Sequence, residues 1–299
     1  MKEKIKHRFS VYGLVVGALL IVYSVIILAV LLWGFAISLK TQDEFFINAY
    51  PWFTEIVDGQ GIKIDFKYIK GFKTFKADLA RDGFGGSINL MGMFANSILY
   101  SLGCAIVSTL SPLVMAYVAS KYRYRFSNWI PKIVLTVMVI PVVGATAATL
   151  QIVEAFGIFD TYVGSLILKA GFTSMYFLVF YSAFKNLSWE YAEAAFVDGA
   201  SHVRVMFGIM IPLIMPIVFS VFLIFFVQYW NDYQTILTYY PSHPTAALGL
   251  FYYNKNSSTS SNETMLLTGC YIVTIPVLIL FLIFRERLMG NLSVGGIKG

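Results

Sequence analysis

The residues best suited to binding chemistry lie in one stretch, residues 188–216, with the sequence SWEYAEAAFVDGASHVRVMFGIMIPLIMP. Ser188 is a good N-cap residue, and Glu190 in the next turn suits the positive end of a helix dipole. Gly199 can adopt the left-handed conformation that commonly ends a helix, and Ser201 can cap the helix that follows. The stretch is therefore predicted to form a helix, a tight turn and a second helix.

The side chains of this helix–turn–helix favour docking to another protein over catalysis. Pro212 and Pro216 each lack a backbone donor, so the chain is expected to bend there into the next apolar helix. Small and aromatic residues recur before the bend, and they can fill a groove on a soluble partner. These residues are Tyr191, Ala194, Ala195, Val197 and Phe207.

Asp232 is the other polar residue of interest, because acids near the ends of membrane helices usually face protein or water. With Gln228, Trp230, Asn231 and Tyr233 it could line a translocation path, where aromatic faces and polar groups suit hydroxyl-rich sugars. Anchoring of Trp230 and Tyr233 at the membrane interface stays open as the alternative.

The sequence offers no catalytic or metal-binding motif. It contains no Gly-Lys dipeptide, so it lacks a Walker phosphate-binding loop. His7, His202 and His243 are far apart without HExxH spacing, and Cys104 and Cys270 stand alone in apolar stretches. We therefore assign no catalytic residue and no metal site, and we expect any ATP hydrolysis to occur on another polypeptide.

The composition indicates that helices in a membrane position these residues. Of 299 residues, 58% are hydrophobic and 13% are charged, which is too apolar for a soluble domain. A helix needs about 20 apolar residues to cross the bilayer core. Lys169 interrupts one apolar stretch near its end, where a lysine can extend toward the membrane surface. The chain is predicted to be an all-α membrane protein with six transmembrane helices, at residues 11–39, 94–120, 133–153, 164–184, 209–231 and 264–284.

The basic residues predict that the N-terminus and the C-terminus both face the cytoplasm. Cytoplasmic loops are rich in Lys and Arg, and long outer loops count little in this rule. The basic residues are scattered between apolar runs and form no continuous stripe, so nucleic acid is excluded as a partner. The N-in, C-in orientation places these residues inside: Lys2, Lys4, Lys6, Arg8, Lys121, Arg123, Arg125, Lys132, Lys185, Arg204, Arg285, Arg287 and Lys298.

One sizeable soluble piece is predicted, the extracytoplasmic segment at residues 40–93. Residues 62–68 alternate between apolar and charged side chains, which predicts a short strand or hairpin. The segment is either a solvated connector or a small cap that touches a partner subunit or a delivery protein. Residues 240–263 contain two prolines and a polar run, so they are predicted to form an exposed loop.

Residues 188–216 resemble the EAA loop of permease subunits of binding-protein-dependent ATP-binding cassette (ABC) importers. The chain differs at Ile211, where the family more often has leucine, and in its charged outer segment. The resemblance is carried by Glu193-Ala194-Ala195, Asp198-Gly199-Ala200, Phe207, Ile209 and Pro212. It extends, in the pattern of the second permease subunit of maltose-type carbohydrate importers, to Asn96-Ser97, Ala116-Tyr117, residues 121–125, Pro141, residues 157–166, Trp230-Asn231-Asp232 and residues 290–299.

The resemblance implies the fold of an ABC type I importer permease with cytoplasmic coupling helices. Residues 186–208, here called the EAA segment, would dock into a cleft on an ATP-binding subunit. The implied parts are a cytoplasmic N-terminus at 1–10, a first span at 11–39, the outer segment at 40–93, a permease core at 94–299 and a cytoplasmic tail at 285–299. The expected coupling residues are Glu190, Tyr191, Glu193, Ala194, Ala195, Asp198, Gly199, Ala200, Ser201, Arg204 and Phe207.

The same resemblance implies the cellular setting and the partners. The chain would be a multi-pass subunit of a prokaryotic plasma (inner) membrane and no enzyme by itself. Its partners would be a second homologous permease subunit in a heterodimer, two ATP-binding subunits, an extracytoplasmic solute-binding protein and membrane lipid. ATP and Mg²⁺ would bind to the ATP-binding subunits, and no cofactor to this chain. The expected cargo is a carbohydrate, and an oligosaccharide in particular.

An ion-coupled secondary transporter of small polar solutes is the alternative from another class. It too would consist of six or more apolar helices. Against it, the predicted spans contain almost no ionisable residues that could couple to protons or sodium, and no inverted pair of broken segments. The sequence therefore favours the ATP-driven importer.

Overall fold

The computed structural model describes residues 11–38, 90–122, 124–140, 144–256 and 263–290. Within these ranges every regular element is helical, which agrees with the predicted all-α class. The strand predicted in residues 62–68 lies outside them. The helices are α1 (Val11–Ser38), α2 (Leu90–Lys121), α3 (Ile130–Val139), α4 (Ala145–Ala155), α5 (Tyr162–Lys169), α6 (Met175–Asn186), α7 (Glu190–Val197), α8 (His202–Val205), a π-helix (Met206–Met210), α9 (Ile211–Leu213), α10 (Met215–Trp230), α11 (Tyr233–Tyr239), α12 (Ala246–Asn256) and α13 (Glu263–Gly290).

The chain divides into two compact units, and the first contains α1 and the part of α13 up to Thr274. The Tyr271 hydroxyl donates a hydrogen bond of 2.6 Å to the Leu31 carbonyl oxygen. A Cβ at Gly34 would lie 2.7 Å from the same hydroxyl oxygen, so a larger residue there would displace the Tyr271 side chain. Most of the apolar side chains of α1 are exposed, as expected for a helix that faces lipid.

The second unit is built around α2, which packs against α10, α6 and α5. Its buried side chains include the small residues Ser101, Cys104, Ala105 and Ser108. Small residues let helix backbones approach closely. Within a lipid bilayer the hydrophobic effect does not drive helix association, and such close packing stabilises it instead. The helix that the sequence marked as the second span is therefore the core of this unit.

Within the described part of the chain, three helices are long and apolar enough to cross a membrane: Gly13–Ser38, Met91–Lys121 and Leu266–Phe284. A fourth span is possible if His202–Leu213 and Met215–Trp230, which are bent by 82° relative to each other, count as one. The third and fourth predicted spans are each divided into two short helices. The predicted count of six is thus not reached by length and composition alone.

The first break has a local cause in the sequence, and the second is stabilised by a neighbouring helix. Ile140 has the extended dihedral angles φ −77° and ψ 114°, and the residue after it is Pro141, which disfavours helical geometry in the preceding residue. The other break follows Lys169, whose carbonyl oxygen accepts a hydrogen bond of 2.8 Å from the Ser108 hydroxyl. The Lys169 carbonyl oxygen, which has no hydrogen-bond partner within α5, therefore finds one in α2.

The prediction of an exposed loop at residues 240–263 is wrong for the first part of this range. Tyr240 and Leu248 are buried, and α12 begins at Ala246. The Ser97 hydroxyl oxygen accepts a hydrogen bond of 2.8 Å from the Ala246 backbone N–H. Prolines and polar residues favour exposed turns, but α2 supplies hydrogen-bond partners that allow this backbone to be buried.

Candidate coupling segment and polar cluster

The first arm of the EAA segment begins as the sequence indicated, with one change. Helix α7 starts at Glu190, and Trp189 occupies the N-cap position predicted for Ser188. The Ser188 hydroxyl oxygen still accepts a hydrogen bond of 3.2 Å from the Glu190 backbone N–H. Ser188 therefore still accepts from a backbone N–H at the helix start, although it lies one residue before the N-cap.

The turn predicted at Gly199 is confirmed. Gly199 has φ +78°, the left-handed region that side chains with a Cβ rarely adopt. Its N–H donates to the Phe196 carbonyl at 3.0 Å, and the Ala200 N–H donates to the Ala195 carbonyl at 2.9 Å. These two bonds form a Schellman motif, and the Ser201 side chain accepts from the Arg204 N–H to cap α8.

The outer face of the EAA segment carries large apolar side chains that this chain leaves uncovered. Tyr191 is 53% exposed, Val197 88%, Val203 64% and Phe207 49%. Ala195 is buried, so it supports the turn from within. The other predicted coupling residues are exposed or half-buried: Glu190, Glu193, Ala194, Asp198, Gly199, Ala200, Ser201 and Arg204.

Aromatic rings connect the two arms of the segment to each other and to the end of α2, an arrangement that the sequence interpretation missed. The ring of Tyr122, just after α2, lies 6.0 Å from the Trp189 ring and 5.6 Å from the His202 ring. Phe196 lies 6.0 Å from Trp189 and 4.7 Å from His202. We call these four residues the aromatic cluster. The aromatic residues inside the segment were the available signal.

The segment then bends into α10, as Pro212 and Pro216 predicted. A π-helix, Met206–Met210, precedes α9, and the chain turns by 82° between the two sides of Ile214. Ile214 has φ −108° and ψ 13°, outside helical geometry. The bend follows from the backbone donors that the two prolines lack.

Asp232 belongs to a cluster of polar side chains within the second unit, here called the polar cluster and formed by Asp232, Lys169, Tyr100 and Thr235. The Lys169 Nζ atom lies 3.0 Å from Asp232 Oδ2 and 3.0 Å from Thr235 Oγ1. The Tyr100 hydroxyl donates to Asp232 Oδ2 at 3.1 Å, and the Thr235 N–H donates to Asp232 Oδ1 at 3.0 Å. Lys169 is therefore paired with a carboxylate of the same chain, a contact that the sequence interpretation missed.

Asp232 stands just after α10 and is the N-cap of α11. Burial by itself raises the pKa of its carboxyl group, but the nearby Lys169 ammonium and the hydrogen bonds from Thr235 outweigh burial. The net result is a pKa below the ordinary value. The carboxylate is thus held charged, and it compensates the charge of Lys169.

The other candidate path residues are divided between surface and core. Gln228 and Asn231 are exposed. The Trp230 ring is 2% exposed and stacks on Phe226 with ring centroids 5.8 Å apart, so this chain covers it. Tyr233 stacks on Phe251 at 4.5 Å. Among the described residues, no three His, Cys, Asp or Glu side chains gather in a way that could hold a metal ion.

Several helices of this chain are long and apolar enough to cross a membrane. The fold is therefore that of a multi-pass helical membrane protein. The chain belongs to the family of binding-protein-dependent transport system inner membrane components, whose model matches residues 108–293. The family predicted from the EAA motif is therefore confirmed. The membrane location is confirmed with it, and the alternative of an ion-coupled transporter is set aside. Proteins of this family are the transport component and work with other subunits and a binding protein.

Individual relatives are similar over most of their length. The trehalose transport system permease protein SugB of Mycobacterium tuberculosis is 24% identical, and the match covers 98% of this chain and 99% of SugB. The arabinooligosaccharides transport system permease protein AraQ of Bacillus subtilis is 25% identical over 72% of this chain and 76% of AraQ. In a crystal structure of a bacterial ABC transporter that imports the acidic polysaccharide alginate, one chain superposes with a TM-score of 0.71 at 18% identity, covering 95% of this chain and 99% of that chain.

Proposed function

We propose that this chain forms half of the translocation path of an ATP-driven importer for carbohydrates, with oligosaccharides as the main cargo. The support comes from the named relatives, whose cargoes are trehalose and arabinooligosaccharides, and from the fold shared with an alginate importer. A second, homologous permease subunit forms the other half, and two ATP-binding subunits bind ATP and Mg²⁺. An extracytoplasmic binding protein delivers the sugar.

The EAA segment is the proposed contact with an ATP-binding subunit. The observation that carries this proposal is the exposure of Tyr191, Val197, Val203 and Phe207 around a turn closed by its own hydrogen bonds. Exposed apolar residues on a rigid helix–turn–helix fit a groove on a partner. Gly199 and the Schellman hydrogen bonds fix the conformation of the turn, so the turn can transmit a force from the ATP-binding subunit without deforming. Closure of the two ATP-binding subunits would therefore move the attached helices.

The topology proposed for this function has six spans, with both termini in the cytoplasm. In the third and fourth spans, two short helices together would cross the bilayer. A broken span is tolerated where its open backbone groups face protein, as the carbonyl of Lys169 does. Gln228 and Asn231 are the candidate contacts with sugar, because both are exposed near the polar cluster at the end of α10.

Cysteine crosslinking tests the contact with the ATP-binding subunit. The importer is purified from native membranes through a tag on this chain, with cysteine placed at Val197, which is 88% exposed. Val197→Cys should crosslink to an ATP-binding subunit. Val139, at the end of α3, is 82% exposed and lies in the predicted third span. Val139→Cys is the matched control and should give no such crosslink.

Val197→Cys also tests the orientation. In intact cells a membrane-impermeant maleimide should leave Val197→Cys unlabelled, and in inside-out vesicles stripped of the ATP-binding subunits it should label it. Labelling from outside would refute the proposed orientation.

Calorimetry tests the cargo. The binding protein that copurifies with the importer is titrated with trehalose, raffinose, arabinotriose and alginate trisaccharide. Binding of none of these sugars, with binding of an amino acid or a metal ion instead, would remove the carbohydrate assignment.

A further inference from the structure

Tyr122 lies where the EAA segment meets the end of α2. Its ring contacts Trp189, before α7, and His202, the first residue of α8, with centroids 6.0 and 5.6 Å apart. The Tyr122 hydroxyl and His202 Nδ1 also share a hydrogen bond of 2.9 Å. One side chain from outside the helix–turn–helix therefore touches both of its arms.

We propose that Tyr122 is a positioning residue that makes the EAA segment and α2 move as one body during transport. This inference rests on the proposed docking of the EAA segment to an ATP-binding subunit. Covalently, the segment is connected to α6 on one side and to α9 and α10 on the other. A movement of the segment reaches α2 through side chains, and Tyr122 is placed to carry it.

The contacts of Tyr122 continue into the buried face of α2. The Tyr117 ring lies 5.8 Å from the Tyr122 ring and 5.3 Å from the ring of Phe184 in α6. Tyr117 and Phe184 are both fully buried or nearly so. Because α2 packs against α10, α6 and α5, a rotation transmitted to this point would spread through the second unit. Close-packed interiors transmit such a displacement instead of absorbing it.

Lys121 provides a second connection of a different kind. Its Nζ atom donates a hydrogen bond of 2.6 Å to the Leu187 carbonyl oxygen. A lysine has a long, flexible stem, so this bond fixes a distance at one point and leaves the direction free. The Tyr122 ring touches two rings edge-on and shares one hydrogen bond, which together fix orientation. Rigid coupling is therefore assigned to Tyr122.

A distance measurement between the two elements tests the inference without knowledge of the cargo. Spin labels are attached to cysteines at Gly208 in the π-helix, where an added Cβ would meet no atom closer than 4.0 Å, and at Ile106 in α2, which is 46% exposed. Cys104 and Cys270 are first replaced by alanine. Pulsed electron paramagnetic resonance is recorded on the whole importer, free of nucleotide and trapped with ATP and vanadate. With Tyr122 in place, the distance should be narrow and equal in the two states.

Three variants of the labelled importer are compared. Tyr122→Leu should broaden the distance distribution and separate its means in the two states. Tyr122→Phe keeps the ring contacts and loses the hydrogen bond, so a smaller broadening is expected. Tyr124→Leu is the matched control, because Tyr124 is two residues away and 40% exposed. It should give the same distances as the parent importer.

The outcomes separate this inference from the function on which it rests. Equal, narrow distances in Tyr122→Leu, with ATP hydrolysis retained, would overturn the role of Tyr122 while the Val197→Cys crosslink still formed. A parent importer whose distance differed between the states would overturn it too. Absence of the Val197→Cys crosslink would instead refute the docking. If Tyr122→Leu fails to assemble, Tyr122→Phe decides, and parent-like distances in that variant count against the inference.

Discussion

The EAA segment and the polar cluster are held together by different kinds of contact. The turn at Gly199 uses hydrogen bonds between residues within five positions of one another, such as Ala200 to Ala195. The polar cluster joins Asp232 to Lys169, 63 positions away, and to Tyr100, 132 positions away. The turn can therefore form locally, whereas the polar cluster exists only after α2, α5 and α11 have packed.

This difference predicts which substitutions affect docking and which affect the fold. A change in the turn should alter the surface that the partner meets while membrane insertion continues. A change in the polar cluster should weaken the packing between helices and lower the free energy of unfolding.

The largest loss of stability is expected for Asp232→Leu. It leaves the Lys169 ammonium without its carboxylate and removes the acceptor for the Tyr100 hydroxyl. Hydrogen bonds to charged groups contribute about 1.5–3 kcal/mol, and both side chains of the pair are at most 21% exposed. Thermal unfolding of the purified importer in detergent should show a loss of this size.

A double substitution tests whether the unpaired charge is the cause. Lys169→Met together with Asp232→Leu removes both charges, and an apolar pair can replace an ion pair at little cost. The double variant should recover part of the stability that Asp232→Leu loses. If it is no more stable than Asp232→Leu, the ion pair is not what stabilises this region, and the contrast with the EAA segment fails.

Gly199→Val should have an intermediate effect on stability and a large effect on docking. A β-branched residue at φ +78° is strained by about 1–2 kcal/mol. Membrane insertion should continue, while the ATP-binding subunit is lost from affinity purification through this chain. Gly199→Asn is the control, because asparagine tolerates the left-handed region and should retain the partner. Full recovery of the partner with Gly199→Val would contradict the account of the turn.

Ser201→Ala should have the smallest effect of the three. Its side chain accepts from the Arg204 N–H at 3.4 Å, a long hydrogen bond at an exposed helix start. Loss of such a cap costs about 0.5 kcal/mol, at the low end for N-cap residues. Ser182→Ala in the middle of α6 is the matched control and should cost nothing. A loss as large as that of Asp232→Leu would mean that the EAA segment depends on distant contacts.

Much of the EAA segment could be predicted because its conformation depends on neighbouring residues. Gly199, Ser201 and Pro212 each impose a local backbone preference, and all three are found in the predicted roles. The aromatic cluster was not predicted, since Tyr122 follows α2 and lies far from the EAA segment in sequence. The buried backbone before Ala246 was missed for the same reason, because its partner Ser97 is far away in sequence.

The sequence by itself determined the helical membrane class, the family and the turn at Gly199. These depend on composition, apolar stretches and short spacings, which are properties of neighbouring residues. Only the tertiary structure decided that Lys169 faces Asp232 and that Tyr122 joins both arms of the EAA segment. Each of these depends on the approach of residues far apart in the chain, and an apolar pattern along one helix does not specify which helix will pack against it.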